Sequence, residues 1–368
     1  TGHVGLPLGL AFAKKNYKVQ LIDINLTNIK NVNSGIMPFK EDGAPKVLKK
    51  LIKKKKIFAT NNLESIKYGK YIIICIGTPV NEKLKPETRN FLLFFKKLKN
   101  YLSKKHLVVI RSSVYPGISD EVFKICKSKT KNISYCPERI VQGKSLIELP
   151  KLPQVISGFT QKSIIESKKL FSKISKKIIT TSILEAELIK LFSNSYRYIV
   201  FAISNQFFKI CYDLNINFDQ LRKNMIDGYD RNSGIAKPGF TAGPCLLKDT
   251  MQLSSFLKNK FHLGYSAMSI NESIPIFLMK NLEKKNAVKN KTVGVLGMAF
   301  KAETDDIRDS LAIKLIKYLK QKKIKYKYSD PYYKDQNILT ENQLIKKSDI
   351  IIVTVPHKKY KKIKIPKN

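Results

Sequence analysis

The 368 residues are 43% hydrophobic, enough for buried cores, and a chain of this length favours two domains over one. Net charge is +41, but 62 of the 69 basic residues are Lys and seven are Arg, spread along the chain. Nucleic-acid readers rely on Arg for bidentate recognition, so this charge does not argue for nucleic acid as the partner, and no apolar run approaches the ~18 residues of a membrane span.

In chain order, Thr1-Gly-His-Val-Gly-Leu-Pro7 leads into a helix-like run, Leu8–Lys14, and Lys18–Asp23 reads as a strand ending in an acid. Two glycines before a helix, with an acid about 20 residues on, match the second half of a dinucleotide fingerprint. The strand and first glycine that should precede them are absent, so the chain reads as N-terminally incomplete, and an inactive or truncated relative is one reading of it. YIIICIGTP at 71–79 and LVVIRSSVYPG at 107–117 are apolar strands running into small-residue loops, the pattern of a parallel sheet covered on both faces. Ligands on such sheets lie beyond the carboxyl ends of the strands, where these loops fall.

Leu184 to about Asp213 lacks Gly and Pro and predicts one long helix. GFTAGPCLLKDT at 239–250 then sets one Cys behind Gly-Pro, with Lys and Asp three and four residues later. That setting suits an exposed nucleophile better than a buried thiol. Thr292–Lys301 predicts a further strand and glycine turn, Tyr326–Pro331 a strand ending in an acid, and Asp349–Pro356 echoes 71–79. The expected fold is α/β: two Rossmann-like domains with parallel sheets, joined by a long central helix. The expected boundaries are 1–180 for the nucleotide-binding first domain, 181–285 for the helical middle, and 286–368 for a second Rossmann-like domain that the chain end cuts short. Five cysteines without a Cys-x-x-Cys pair, and without metal-like spacing to the four His, point to reduced thiols, a cytoplasmic setting and no metal.

Seven stretches in this order resemble the UDP-glucose/GDP-mannose dehydrogenase superfamily, across essentially the whole chain. They are GHVGLPL at 2–8, IGTP at 76–79, RSSVYPG at 111–117, YCPERIVQGK at 135–144, EAELIKLFSN at 185–194, AGPCLLKD at 242–249 and GMAFKAETDDIRDS at 297–310. The resemblance implies NAD-dependent, four-electron oxidation of the C6 hydroxymethyl of a nucleotide sugar to a carboxylate. Cys245 matches the family nucleophile, passing through a thiohemiacetal and a thioester. Lys190 and Asn194, four apart on the long helix, match the pair that stabilises the developing oxyanion. Asp249 matches the aspartate that positions water or handles protons, and Lys248 adds positive charge. Gly243 fixes a turn that lets backbone approach the sugar.

The resemblance further assigns Glu138 to proton transfer in thioester hydrolysis. Ser113, where the family commonly has Thr, would hold the water. Gln142 stands where many relatives carry a second glutamate, which leaves the base role to Glu138 alone. Gly2, Val4, Gly5 and Asp23 are expected at the pyrophosphate and ribose of NAD, with Thr78, Pro79 and Ser113 flanking it. Lys301 and Arg308 match substrate contacts, Asp305 and Asp306 organise their loop or cap a helix, and Arg139, Lys144 and His357 read as ordinary surface or loop residues. Cys75, Cys126, Cys136 and Cys211 are expected to be packing residues. A homodimer through Tyr196, Tyr198 and Phe201 of the long helix is also implied. Leu246-Leu247, in place of the Phe-Pro common in UDP-glucose enzymes, favours a UDP-N-acetylhexosamine over UDP-glucose, and the uronate would enter surface polysaccharide. A β-hydroxyacid-type dehydrogenase shares the domains and helix, but its single hydride transfer has no use for Cys245.

Overall fold

The computed structural model describes residues 1–81, 84–241, 243–258 and 260–363. It divides into two compact units, Thr1–Ser193 and Asn194–Asn368. The first unit alternates helices and strands: α1 (Gly5–Lys14), β1 (Val19–Ile22), α2 (Leu26–Asn33), α3 (Ala44–Lys53), β2 (Ile57–Thr60), β3 (Tyr71–Ile74), α4 (Thr88–Leu98), β4 (Leu107–Ile110), α5 (Ile118–Cys126), β5 (Ile133–Tyr135), α6 (Ser145–Glu148), β6 (Gln154–Gly158), α7 (Gln161–Phe171) and β7 (Ile178–Thr180). β1 pairs with β2, and β3 to β7 follow one another in a second sheet. Every residue of β4 is buried, as its unbroken apolar run requires.

One pairing departs from the expected parallel pattern. β6 runs antiparallel to β5, with Tyr135 opposite Ser157. The connection between them holds only the single turn α6 in place of a full crossover helix, so the chain doubles back. α1 is buried around most of its surface because two clusters claim it. Leu6, Leu10 and Ala13 pack with Leu21, Leu48 and Ile57, while Leu8 and Phe12 join Leu107, Val109 and Phe171. A Cβ at Gly9 would stand 2.9 Å from Leu21, so the helix lies directly on β1.

α8 (Ile183–Asp213) runs for 31 residues and carries the boundary between the units. The second unit continues with α9 (Phe218–Ile226), α10 (Leu246–Phe256), α11 (His262–Lys284), β8 (Val293–Leu296), α12 (Leu311–Gln321), β9 (Tyr326–Ser329), α13 (Glu341–Lys346) and β10 (Ile350–Val353). β8 is the centre of a three-stranded parallel sheet, flanked by β10 and β9. Tyr198 and Ala202 of α8 pack against Ala267 of α11. Buried amides hold the two helices in register: Asn205 donates to Asn271 at 2.8 Å, and Asn271 donates to the Tyr198 carbonyl at 3.0 Å. Among the described residues no helix is long and apolar enough to cross a membrane.

Gly297, in the turn after β8, has φ +102°, and an added Cβ would meet Val355 side chain at 2.9 Å and its backbone at 3.1 Å. Both the dihedral and the space demand glycine. Gly297→Ala is expected to lower stability by about 3 kcal/mol, read from urea unfolding.

Candidate active site

In the first unit, Val4 is the N-cap of α1 and Gly5 its first residue. A Cβ at Gly2 would meet nothing within 4 Å, so the turn is open beside the helix N-terminus, where backbone N–H groups favour a pyrophosphate. Asp23 follows β1, accepting from the Asn25 N–H at 3.0 Å and from the Thr1 hydroxyl. A bare glycine turn, a helix start and a carboxylate at the next strand end fit a dinucleotide. The loops after β3 and β4 are tied together: Thr78 donates its hydroxyl to the Ser113 carbonyl, and Ser112 donates to the Ile76 carbonyl at 2.7 Å. Pro79 stands exposed beside them.

Glu138 is buried and held by four N–H donors. Oε2 accepts from Arg111 at 2.6 and 3.1 Å, and Oε1 accepts from the backbone of Arg139 at 2.7 Å and Ile140 at 3.0 Å. Arg111, fully shielded from solvent, also donates to Gln154 at 2.7 Å and to the Cys136 carbonyl at 2.9 Å. The carboxyl group is therefore fixed in place by its ion pair and backbone donors. Gln142 sits 3.0 Å from Nδ1 of His3, joining the loop after β5 to the glycine turn. Glu41 grips the same loop through the N–H groups of Gly143 at 3.0 Å and Ser145 at 2.6 Å. Arg139, expected at the surface, donates to the Pro153 carbonyl at 2.7 Å, whereas Lys144 is exposed as expected.

α8 presents a buried polar stripe: Glu187, Lys190, Asn194 and Tyr198, at spacings of three and four. Glu187 accepts from the Gly117 N–H at 2.8 Å and the Ser119 N–H at 3.0 Å, anchoring α8 on the start of α5. Burial holds its pKa above the usual carboxylate range despite these bonds. Lys190 lies one turn beyond this anchor and one turn before Asn194.

In the second unit, Cys245 is exposed and forms the N-cap of α10. Asp249, one turn on, donates its N–H to the Cys245 carbonyl at 2.9 Å. Its fully buried carboxylate takes the Asn194 amide at 2.6 Å and the Lys248 ammonium at 2.7 Å. Four of the expected residues thus form one cluster. The Arg308 guanidinium lies near Cys245. Among the packing thiols, burial pushes Cys75 to about 12, and Cys126 and Cys136 to about 11. Gly243 has φ +118°, and a Cβ there would stand 2.5 Å from the Phe300 ring, so a side chain is excluded. Ala242 of the same motif lies outside the described residues.

The Gly297–Arg308 loop closes on itself. Asp306 accepts from Arg308 Nε at 2.9 Å and Nη2 at 2.6 Å, and its carbonyl accepts the Phe300 N–H at 2.9 Å. Neither Asp305 nor Asp306 caps α12; Ser310 does. Lys301 lies 5.8 Å from the Phe300 ring centroid. His357 lies in a loop, as expected, and there it is 1% exposed and bonded to Asp330. Asp330 is buried, which raises its pKa. Bonds from His357 and from the N–H groups of Tyr333, Met298 and Tyr332 overcome that and hold it at about 2. A depressed carboxylate contributes stability that is present above its ordinary 3.8 and lost as pH falls towards about 2. Asp330→Asn is expected to flatten the loss of stability between pH 4 and 2, measured by urea unfolding at each pH.

Sequence reasoning missed Arg111, Glu187, Asn271 and the Asp330–His357 pair. A lone Arg at the end of a wholly apolar strand was the available signal for the first.

Three domain models of one family match the chain in order. The NAD binding domain of the UDP-glucose/GDP-mannose dehydrogenase family covers residues 1–176, its central domain 184–273 and its UDP binding domain 294–368. A UDP-N-acetyl-D-mannosamine dehydrogenase of Pyrococcus horikoshii is 28% identical over 98% of this chain and 89% of its own length. A UDP-glucose 6-dehydrogenase of Rickettsia bellii is 26% identical over 96% of this chain and 87% of its own. The solved structure of a UDP-D-ManNAc dehydrogenase from P. horikoshii superposes with a TM-score of 0.89 at 27% identity, covering 98% of this chain and 89% of that one. The chain belongs to the UDP-glucose/GDP-mannose dehydrogenase family of NAD-dependent nucleotide-sugar dehydrogenases.

Proposed function

We propose that the chain oxidises C6 of UDP-N-acetyl-D-mannosamine to the uronate in four electrons. The observation that carries the reading is the cluster around Cys245: an exposed thiol at a helix N-terminus, one turn before a buried Asp249 that Asn194 and Lys248 clamp. NAD supplies the hydride acceptor, one molecule for each oxidation. The first hydride and the hydroxyl proton leave the C6 alcohol, giving an aldehyde. Cys245 Sγ adds to that carbon, forming a C–S bond and a thiohemiacetal. Loss of the second hydride and the hydroxyl proton leaves a thioester, and water displaces the thiolate to release the carboxylate.

In this reading Lys190 and Asn194 stabilise the oxyanion at each tetrahedral stage. Asp249 holds the Asn194 amide and the Lys248 ammonium in place. Glu138 and Ser113 serve the water that cleaves the thioester. Gly2, Val4, Gly5, Asp23, Thr78 and Pro79 hold the cofactor, and Gly243, Lys248, Lys301 and Arg308 the nucleotide sugar. These roles rest on the resemblance together with the hydrogen bonds described above. The five free cysteines suit a cytoplasmic enzyme, and the uronate suits surface polysaccharide.

Relatives named for UDP-N-acetyl-D-mannosamine support that sugar, and the R. bellii relative supports UDP-glucose as the second reading. Initial rates with UDP-N-acetyl-D-mannosamine, UDP-N-acetylglucosamine, UDP-glucose and GDP-mannose separate them. The first is expected to show the highest kcat/KM, by tenfold or more. Preference for UDP-glucose would establish the second reading, and no turnover with any would establish an inactive relative.

A homodimer through α8 is part of the same proposal. Tyr198 is buried and cannot serve it, but Phe192, Tyr196, Ile203, Phe207 and Ile210 form an exposed apolar stripe along the helix. Ile203→Glu is expected to convert a dimer to a monomer in sedimentation; a monomeric parent protein at micromolar concentration would contradict the interface.

A further inference from the structure

His357 lies beyond the residues to which the nucleotide-sugar reading assigns a role, yet it is one of the most buried polar groups of the second unit. Its Nδ1 accepts the Glu303 N–H at 3.0 Å. A ring nitrogen that accepts carries no hydrogen, so the donor of this ring is Nε2. Nε2 faces Asp330 Oδ2 at 3.3 Å, and that same oxygen accepts the N–H of Met298 at 2.7 Å and of Ala299 at 3.1 Å. One imidazole therefore joins both ends of the 298–303 segment: its start through Asp330 and its finish directly.

Further bonds close the frame. Glu303 accepts from Tyr332 at 3.0 Å and from the Lys358 N–H at 2.9 Å, and the rings of Tyr332 and Tyr360 stand 5.2 and 5.3 Å from the imidazole. Between the two tied ends lie Phe300 and Lys301. Phe300 fills the space over Gly243, two residues before Cys245. The segment that carries Lys301 is thus also the wall against which the cysteine loop rests.

We propose that His357 is a positioning residue: it latches the 298–303 segment so that the nucleotide end of the substrate is bound and the Cys245 loop is held. The proposal rests on the nucleotide-sugar reading of this unit. An arm of the segment released from His357 would present Lys301 in many orientations, and binding would lose the benefit of its preorganisation. The effect should fall on the nucleotide sugar and spare the dinucleotide, whose candidate residues lie in the first unit.

The test compares His357→Phe, which keeps the ring and loses both hydrogen bonds, with His357→Asn, whose amide oxygen can stand in for Nδ1. Binding of UDP is measured by calorimetry, alongside KM for the nucleotide sugar and for NAD. For H357F the expected result is UDP binding and nucleotide-sugar KM tenfold or more weaker, with KM for NAD within twofold of the parent. H357N is expected to recover to within about threefold. If H357F fails to fold, H357N alone should weaken UDP binding two- to threefold with NAD unchanged. UDP affinity unaltered in a folded variant, or NAD affected as strongly as UDP, would overturn the latch. A parent protein that neither binds UDP nor turns over any nucleotide sugar would overturn the underlying reading, and the latch with it.

Discussion

Under the proposed mechanism, Cys245→Ala is expected to lower the rate of uronate formation by about 10⁴-fold or more, because removing the proposed nucleophile leaves only the binding and electrostatic contributions of the site. The side chain is exposed and packs against no core, so thermal stability should hold within about 0.5 kcal/mol of the parent. The effect is specific to this thiol. Cys75, Cys126 and Cys136 are desolvated, burial raises their pKa values, and replacement of Cys126 by Ala should leave turnover intact at a modest loss of stability. A C245A protein that still makes the acid at an appreciable fraction of the parent rate would remove the covalent step from the mechanism.

The largest expected effect on stability lies elsewhere, at Arg111. Its guanidinium satisfies Glu138, Gln154 and the Cys136 carbonyl, and it lies 4.9 Å from the Phe171 ring centroid. Arg111→Ala strands the Glu138 carboxylate in a buried site and opens a cavity beside Phe171. A loss of about 3–5 kcal/mol is expected in urea unfolding. Replacing both partners by Met and Leu should cost less than the single change, since no charge is then left unpaired. A single variant within about 1 kcal/mol of the parent would show that water reaches Glu138 and that the ion pair is not what fixes it.

Much of this arrangement was legible in the sequence. The long helix predicted from Leu184 to about Asp213 is α8, and the apolar runs at 71 and 107 became parallel neighbours, because burial on both faces leaves strands no polar alternation. Cys245 could be singled out because a thiol flanked by Gly-Pro and two charges makes a poor core residue. What stayed hidden were partners remote in sequence. Arg111 and Glu138 are 27 residues apart, and His357 meets Glu303 across 54. Single residues of this kind carry no periodicity, and only the fold reveals that each is desolvated and must find its counterpart. Tyr198 shows the reverse error. Its aromatic character suggested a surface for a partner, whereas its hydroxyl reaches Glu272 at 3.0 Å inside the unit. The antiparallel β5–β6 step was hidden for a related reason, since a short connection is visible only once both strands are placed.

The measurement that bears most directly on the account is the number of NADH formed per nucleotide sugar consumed, with the sugar limiting. Two NADH per sugar, falling away in C245A, is the predicted result and requires an aldehyde held and oxidised again at the cysteine. One NADH per sugar, with aldehyde accumulating, would contradict it: the chain would then be a two-electron alcohol dehydrogenase, and Cys245 no nucleophile.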